Sequence, residues 1–378
     1  MFTSQKHKEM RIGIDARVMT LSASGIGRYS IEMIKAISKL NQTKNHQFIL
    51  FSSRKSDKLN LPENWSYFGG SITDRALLRS LNYSNLTKKL NLDRFYTMDY
   101  IGPIISFDSN CKIITTIHDL IPIIYPNLTS FKHRLIGKYI LPLSINNAST
   151  IISISHSTKN DIIKHLNIDP KKIKVIHSGV SDIFFENKLK ASEEIINNFT
   201  LDSQYILFFG TLEPKKNIYY LIDAYSKISN SLKRKYKLVL CGKIDINNSK
   251  LTRFILKRNL KDRIIFTEFV SDEKLKFLIQ NARVFCFPSL YEGFGLPIIE
   301  SMACGCPVIA SNISSIPEIT GDAAILVDPR NVEELVTALN KILTDDKLRK
   351  DLSKKSYLNS SKYRWQNSAS KVFQTILS

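Results

Sequence analysis

The feature that most constrains this chain's fold is an alternation. Short apolar runs of strand length are each followed by a longer amphipathic stretch. Such runs are the length of buried strands, and their alternation with helical stretches calls for parallel strands with helices layered against them. In the first half, strands are expected at Arg11–Asp15, Gln47–Phe51, 112–116, Thr150–Ser153 and 174–176. A helix starting near Gly27 carries Ile31, Ile34, Ile37 and Leu40 on one face, and another over 157–166 follows the fourth strand. Between 181 and 203 the pattern loosens and no strand is expected. A second series then runs through Tyr205–Phe209, Lys237–Cys241, 263–266, 284–287, 307–310 and Ala324–Val327. A length of 378 residues exceeds the usual size of one core. The expected fold is therefore α/β, with two Rossmann-like domains facing a cleft: 1–183, a linker at 184–203, then 204–361. Open sheets of this kind bind ligands at the carboxyl ends of their strands.

Composition narrows the function classes. The net charge of +20 is the outlier. An anionic membrane surface accounts for it, and so does a lysine-rich genomic bias, visible also in Ile and Asn. Nucleic acid does not, because the lysines are spread along the chain with no basic arm or aromatic-interleaved patch. The basic segments 132–139 and 75–89 read either as rests for anionic headgroups or as solvated helix faces. The five cysteines follow no disulfide or zinc spacing, so all are expected to be buried, reduced thiols in a cytoplasmic protein. The N-terminus lacks a signal-peptide h-region, and no run approaches the ~20 apolar residues of a spanning helix.

The segment 289–307, SLYEGFGLPIIESMACGCP, carries the most chemistry. A strand ends at Pro288 and gives way to a loop whose Gly293 and Gly295 let a ligand approach the backbone. Pro297 suits a first helical turn and Gly305 a helix end. The amides of Phe294, Gly295 and Leu296 then lie at a helix N-terminus, a site for a diphosphate. Glu292 and Glu300 would repel phosphate, so hydroxyls are their expected ligands, and a sugar nucleotide offers hydroxyls at both ends. Lys216 follows strand Tyr205–Phe209 and places a cation at that strand's ligand-binding end. In the first half, Gly25 and Gly27 make a poor dinucleotide fingerprint: the loop from Asp15 is too long and Ser30 stands where the third glycine belongs, so NAD is not expected. His118 follows the strand at 112–116 and is expected at its ligand-binding edge.

At these residues the chain resembles the family-4 retaining glycosyltransferases, which share the two-Rossmann GT-B fold. Glu292 and Glu300 match the family's E-x7-E signature. GIDAR with SGIGRY, TIHDLIPIIYP, ISHSTKNDI, VIHSGV, GTLEPKKN and VIASNISSIPEITGDAAILVDP match in order, over nearly the whole chain. The pattern is similar to bacterial mannosyl- and rhamnosyl-type enzymes of cell-surface polysaccharide assembly, lipopolysaccharide included. The resemblance implies that Glu292 holds donor-hexose hydroxyls with the amides of Phe294, Gly295 and Leu296, that Glu300 holds the ribose, and that Lys216 neutralises the diphosphate. It implies that His118 contacts the transferred sugar, and that Gly25 and Gly27 lie near donor phosphates and acceptor. Thr211 follows Gly210 where some members carry arginine, so a second phosphate cation must come from Lys215, from Arg17, or be dispensed with. The tail 362–378, with Trp365, resembles helices that cross back to the first domain. GDP-mannose is the first expectation for the donor and UDP-sugars the second; no cofactor is implied. The implied acceptor is a glycan or lipid-linked glycan, met by a cytoplasmic protein peripheral to the inner membrane. The competing readings are a GT-B-fold sugar-nucleotide epimerase and a non-catalytic polyanion-binding protein. No D-x-D motif occurs to bridge a metal to a diphosphate, so turnover is expected to survive chelator unchanged. Loss on chelation with rescue by magnesium or manganese would contradict this.

Overall fold

The computed structural model describes residues 9–20, 25–52, 59–69, 76–105, 110–186, 204–244, 246 and 248–378. Two compact units emerge: Met1–Gly179 with Trp365–Ser378, and Val180–Arg364. The helix Asp182–Phe185, which spans the expected boundary between the 1–183 domain and the linker at 184–203, thus falls in the second unit. The physical reason is that Phe184 is fully buried there and its carbonyl accepts from the Cys304 thiol at 3.5 Å. Most of the expected linker, 187–203, lies outside the described residues.

The first unit holds a seven-stranded sheet: β1 (Arg11–Asp15), β2 (Gln47–Phe51), β3 (Trp65–Phe68), β4 (Arg94–Thr97), β5 (Lys112–Ile117), β6 (Thr150–Ser153) and β7 (Ile173–Val175). Their order is β3-β2-β1-β4-β5-β6-β7, and all pairs are parallel. β3 and β4 are strands that the sequence reading did not place. The inner positions of β1 and β5 are buried on both faces, as a parallel sheet covered by helices requires. The terminal helix Trp365–Leu377 packs within this unit. Arg94 Nε donates to the Ile376 carbonyl at 2.8 Å, and Ser368 Oγ to the His177 carbonyl at 2.7 Å.

The second unit holds six parallel strands: β8 (Tyr205–Phe209), β9 (Lys237–Cys241), β10 (Ile264–Phe266), β11 (Ala282–Phe287), β12 (Val308–Ser311) and β13 (Ala324–Val327). Their order is β10-β9-β8-β11-β12-β13. Both sheets therefore reverse direction beside their first strand, at β1/β4 and at β8/β11, the topological switch points where open sheets bind ligands. Four of the five free cysteines are buried; Cys304 is partly exposed, unlike the expectation for all five. It sits at the end of the helix Leu296–Ala303, where the chain turns.

Beyond β8 and β9 the two chains stay paired. Gly210 N donates to the Cys241 carbonyl at 2.9 Å and Leu212 N to the Lys243 carbonyl at 2.8 Å. Gly210 and Gly242 both have strongly positive φ, +134° and +138°. A Cβ on Gly242 would stand 2.1 Å from the Gly210 carbonyl oxygen. This contact fixes where the loop after β8 departs. Gly242→Ala is expected to cost roughly 2–3 kcal/mol through overpacking and backbone strain, read as a lower urea midpoint at unchanged m-value. An unaltered midpoint would contradict the contact.

Candidate active site

The sequence puts a lysine in the loop after β8 and a glutamate in the loop after β11, and these strands are neighbours. The result is one buried ion pair at the switch point: Lys216 Nζ donates to Glu292 Oε1 at 2.6 Å. Both residues are buried. The ammonium also stands 4.7 Å from the centre of the Phe287 ring at the end of β11, a cation–π contact. Burial alone would raise the Glu292 carboxyl. The charges of Lys216 and Lys215 and the Lys216 hydrogen bond outweigh it and hold Glu292 below its ordinary value.

Lys216 ends a short 3₁₀ turn, Pro214–Lys216, and Asn217 then takes the left-handed conformation to open the helix Ile218–Lys227. The Lys215 carbonyl accepts from Leu290 N at 2.8 Å, lacing the two loops together. The Lys215 ammonium lies 3.5 Å from Glu213 Oε1 and is partly exposed. Thr211 is half-buried at the start of the same loop.

Glu292 is held from a third loop, after β12. Ser314 Oγ accepts from the Glu292 amide at 3.0 Å, and Ser315 Oγ reaches the carbonyls of Glu292 and Phe294 at 3.0 Å each. The chain then turns at Gly295, at φ +103°, which precedes the helix Leu296–Ala303 with Pro297 in its first turn. The first amides of a helix have no intrahelical acceptor. Among the described residues no hydrogen bond is found from the Gly295 or Leu296 amide. Glu300 lies one turn further along this helix and is 3% exposed. The structure thus brings Lys216, Glu292 and the Phe294–Gly295–Leu296 turn into connected loops, with Glu300 on the helix they open. Ser314, Ser315 and Phe287 have no role legible from sequence: the serines lie within VIASNISSIPEITGDAAILVDP, but a backbone clamp leaves no distinctive residue pattern.

In the first unit the loops after β1, β4 and β5 converge at the other switch point. His118 follows β5, and its Nε2 bonds the Met98 carbonyl, just past β4, at 2.8 Å. A carbonyl can only accept, so Nε2 carries the proton and the neutral ring's Nδ1 is an acceptor. Among the described residues, Nδ1 has no hydrogen-bond partner. Burial pushes the imidazole below its usual value, against the raising influence of the Met98 carbonyl, Asp99 and Asp119. Tyr29 meets the ring edge-on at 4.7 Å, and its hydroxyl continues through Tyr96 (3.1 Å) to Thr116 (2.9 Å).

Arg17 is not a loose cation. It forms a fork with Asp15, Nε to Oδ1 at 2.8 Å and Nη2 to Oδ2 at 2.5 Å, and lies 4.9 Å from the Tyr83 ring centre. Burial would lower its pKa, but Asp15 reverses the shift and raises it. Gly25 and Gly27 begin the helix Gly25–Ser38, two residues earlier than expected; a Cβ on Gly25 would meet nothing within 4 Å. The loop just before them, 21–24, lies outside the described residues.

Two family models match the chain: Glycosyltransferase Family 4 over residues 23–182, and Glycosyl transferases group 1 over 190–359. The O-antigen chain mannosyltransferase B of Escherichia coli is 28% identical, over 91% of this chain and 93% of that protein. The serotype-specific mannosyltransferase WbdA of Escherichia coli is 30% identical over 68% of this chain, which spans only 32% of that longer protein. Among solved structures, HepE of Anabaena, determined with UDP-glucose, superposes with a TM-score of 0.76 at 18% identity, over 97% of this chain and 99% of that one.

The depressed Glu292 carboxyl has a consequence for stability. A group whose folded pKa lies below its unfolded value stabilises fully above the unfolded value, here near 4.5, and loses that contribution as pH falls through the folded one. The stability difference between wild type and Glu292→Gln, from urea unfolding, is expected to be flat around neutral pH and to shrink on acidification below that value. A difference that grows on acidification would contradict the ion pair.

Proposed function

We infer that this chain, which belongs to the family-4 glycosyltransferases and has their GT-B fold, transfers mannose with retention from GDP-mannose to a growing glycan of the cell surface. The observation that carries the reading is the Lys216–Glu292 pair at a switch point, beside a helix N-terminus. The mannosyltransferase names of the O-antigen relatives support the choice of hexose.

As the bond from sugar to diphosphate breaks, negative charge gathers on the leaving phosphate. Preorganised donors directed at that oxygen lower the barrier most. Lys216 has three N–H donors and spends one on Glu292; a second can take the phosphate, with the Gly295 and Leu296 amides completing the cradle. Glu292, charged and fixed on one oxygen by Lys216, keeps acceptor capacity for hexose hydroxyls. Glu300 takes the ribose hydroxyls from its place inside the helix. Lys215, in the same loop and already acting on Glu292, is better suited as the second cation than Arg17, whose fork is matched to Asp15. His118, neutral with Nδ1 as an acceptor, takes a sugar hydroxyl. No nucleophilic side chain is assigned: a leaving-phosphate oxygen accepts the acceptor hydroxyl's proton as the new glycosidic bond forms on the same face. The acceptor proposed is a glycan carried on a lipid at the inner membrane face. No helix among the described residues is long and apolar enough to cross a membrane.

Thermal-shift titrations with GDP, UDP, dTDP and ADP and their sugars test the donor site, because a ligand that binds the folded state raises its melting temperature. GDP and GDP-mannose are expected to stabilise the protein selectively, and Glu300→Ala to weaken them about tenfold, or ~1.4 kcal/mol. Selective stabilisation by UDP-sugars would replace the donor; no shift with any nucleotide would remove the transferase reading.

A further inference from the structure

Residues 131–147 form one continuous helical run: an α segment Phe131–Leu135, a π segment Ile136–Ile140 and an α segment Leu141–Asn147. Its inner side is settled. Leu141 and Ile145 are buried in a core cluster with Ile117, Leu120 and Ile151, and Ile136 packs with Ile101. Gly137 sits so close to Pro122 that an added Cβ would stand 2.6 Å from the proline's Cβ. A surface helix with such an inner face ordinarily turns polar residues outward. This one exposes Phe131 (72%), Leu135 (42%), Tyr139 (56%) and Leu143 (52%), at every fourth position.

The π segment makes that spacing a line. In an α-helix each four-residue step overshoots a full turn by about 40°, so three steps would drift about 120° round the helix. A π turn accommodates about one extra residue and takes back roughly 100° of the drift. The four side chains are thereby brought back towards a single outward stripe. Single exposed apolar residues need no explanation, but an aligned row marks an interaction surface.

The charge around the stripe selects its partner. Lys132 and Arg134 flank Phe131 and Leu135, Lys138 is exposed with its ammonium 5.2 Å from the Tyr139 ring centre, and His133 is exposed beside them. No aspartate or glutamate occurs between Asp119 and Asp161. Large apolar side chains with long cationic ones, and no acid among them, match a boundary of acyl chains beneath anionic headgroups.

We propose that residues 131–147 are an interfacial docking element that lies along an anionic lipid bilayer, with Phe131, Leu135, Tyr139 and Leu143 in the acyl boundary and Lys132, Arg134 and Lys138 at the headgroup phosphates. The proposal gives a location to the lipid-borne acceptor suggested above and rests on that reading for its purpose, though its test needs neither donor nor acceptor.

The full chain is sedimented with vesicles of phosphatidylcholine and phosphatidylglycerol, and with phosphatidylcholine alone. Binding is expected to be at least about tenfold tighter to the anionic vesicles and to weaken with salt. Phe131→Ser/Leu143→Ser is expected to lose about tenfold of that binding, while its melting temperature and nucleotide-induced thermal shift stay as in the wild type. In a separate variant, Phe131→Trp emission is expected to move to the blue on addition of anionic vesicles. Equal sedimentation with both vesicle types, or wild-type binding by the double variant, would overturn the proposal. So would a wild-type dimer that the double variant turns into a monomer without changing vesicle binding. Loss of the nucleotide shift in the wild type would count against the transferase reading and leave the docking result standing.

Discussion

A lysine and a glutamate buried together hold the second unit's loops in place. Moving either charge out of water alone costs several kcal/mol, and only close pairing offsets it. Lys216 and Glu292 meet that condition at 2.6 Å although they are 76 residues apart in sequence. The pairing is geometrically available because β8 and β11 are adjacent in the sheet. It is kept because the Gly210–Gly242 approach sets the departure of one loop, while Ser314 and Ser315 clamp the other. The loops after β8 and β11 are thus joined by one electrostatic match, and the loop after β12 holds the main chain that carries its glutamate. The same match leaves ammonium N–H groups and carboxylate oxygens able to meet a ligand that is anionic at one end and rich in hydroxyls at the other.

The first unit solves a different problem with similar topology. Its histidine is kept neutral by burial and aimed by a main-chain carbonyl, and its arginine is fixed by a neighbouring carboxylate. The buried hydroxyl chain Tyr29–Tyr96–Thr116 runs across β4 and β5 beneath the helix Gly25–Ser38, and the edge of Tyr29 sets the position of the His118 ring. Tyr29 also meets Trp365 at 5.4 Å, so the terminal helix helps to hold the residue that positions the histidine. In this unit the buried arginine is matched by a carboxylate two residues away; in the second, the buried pair joins two loops at the β8/β11 switch point.

Much of this was legible in the sequence, and the rest has identifiable physical reasons for being hidden. The second sheet's strands read well because runs such as Tyr205–Phe209 are apolar throughout, as strands buried on both faces must be. β4 escaped notice because it is four residues long and begins with Arg94 and ends with Thr97, leaving only Phe95 and Tyr96 as apolar signal. β3 is an edge strand of the same length. Glu292, Glu300 and Lys216 stood out by motif and by their places at strand and helix ends. Their linkage did not, since a pair between distant loops has no spacing to recognise. Sequence left Arg17 open beside Lys215 as a second phosphate cation; its fork with the carboxylate two positions earlier is a match of side-chain geometry that spacing does not announce. The acceptor for His118 is a backbone carbonyl, which no side-chain pattern can announce. The stripe at 131–147 was visible only as basic residues, because its alignment depends on a π turn that helical periodicity does not foresee.

In the proposed function, Lys216 and Glu292 act as one unit on the donor. A double-mutant cycle on the rate of sugar transfer, using Lys216→Met, Glu292→Gln and both together, tests it most directly. If the pair works as a unit, each single change disables its partner's function, and the double variant is expected to be no slower than the slower single variant within about threefold. Multiplicative losses, with the double variant slowed by the product of the two single effects, would show the residues acting independently and contradict the account.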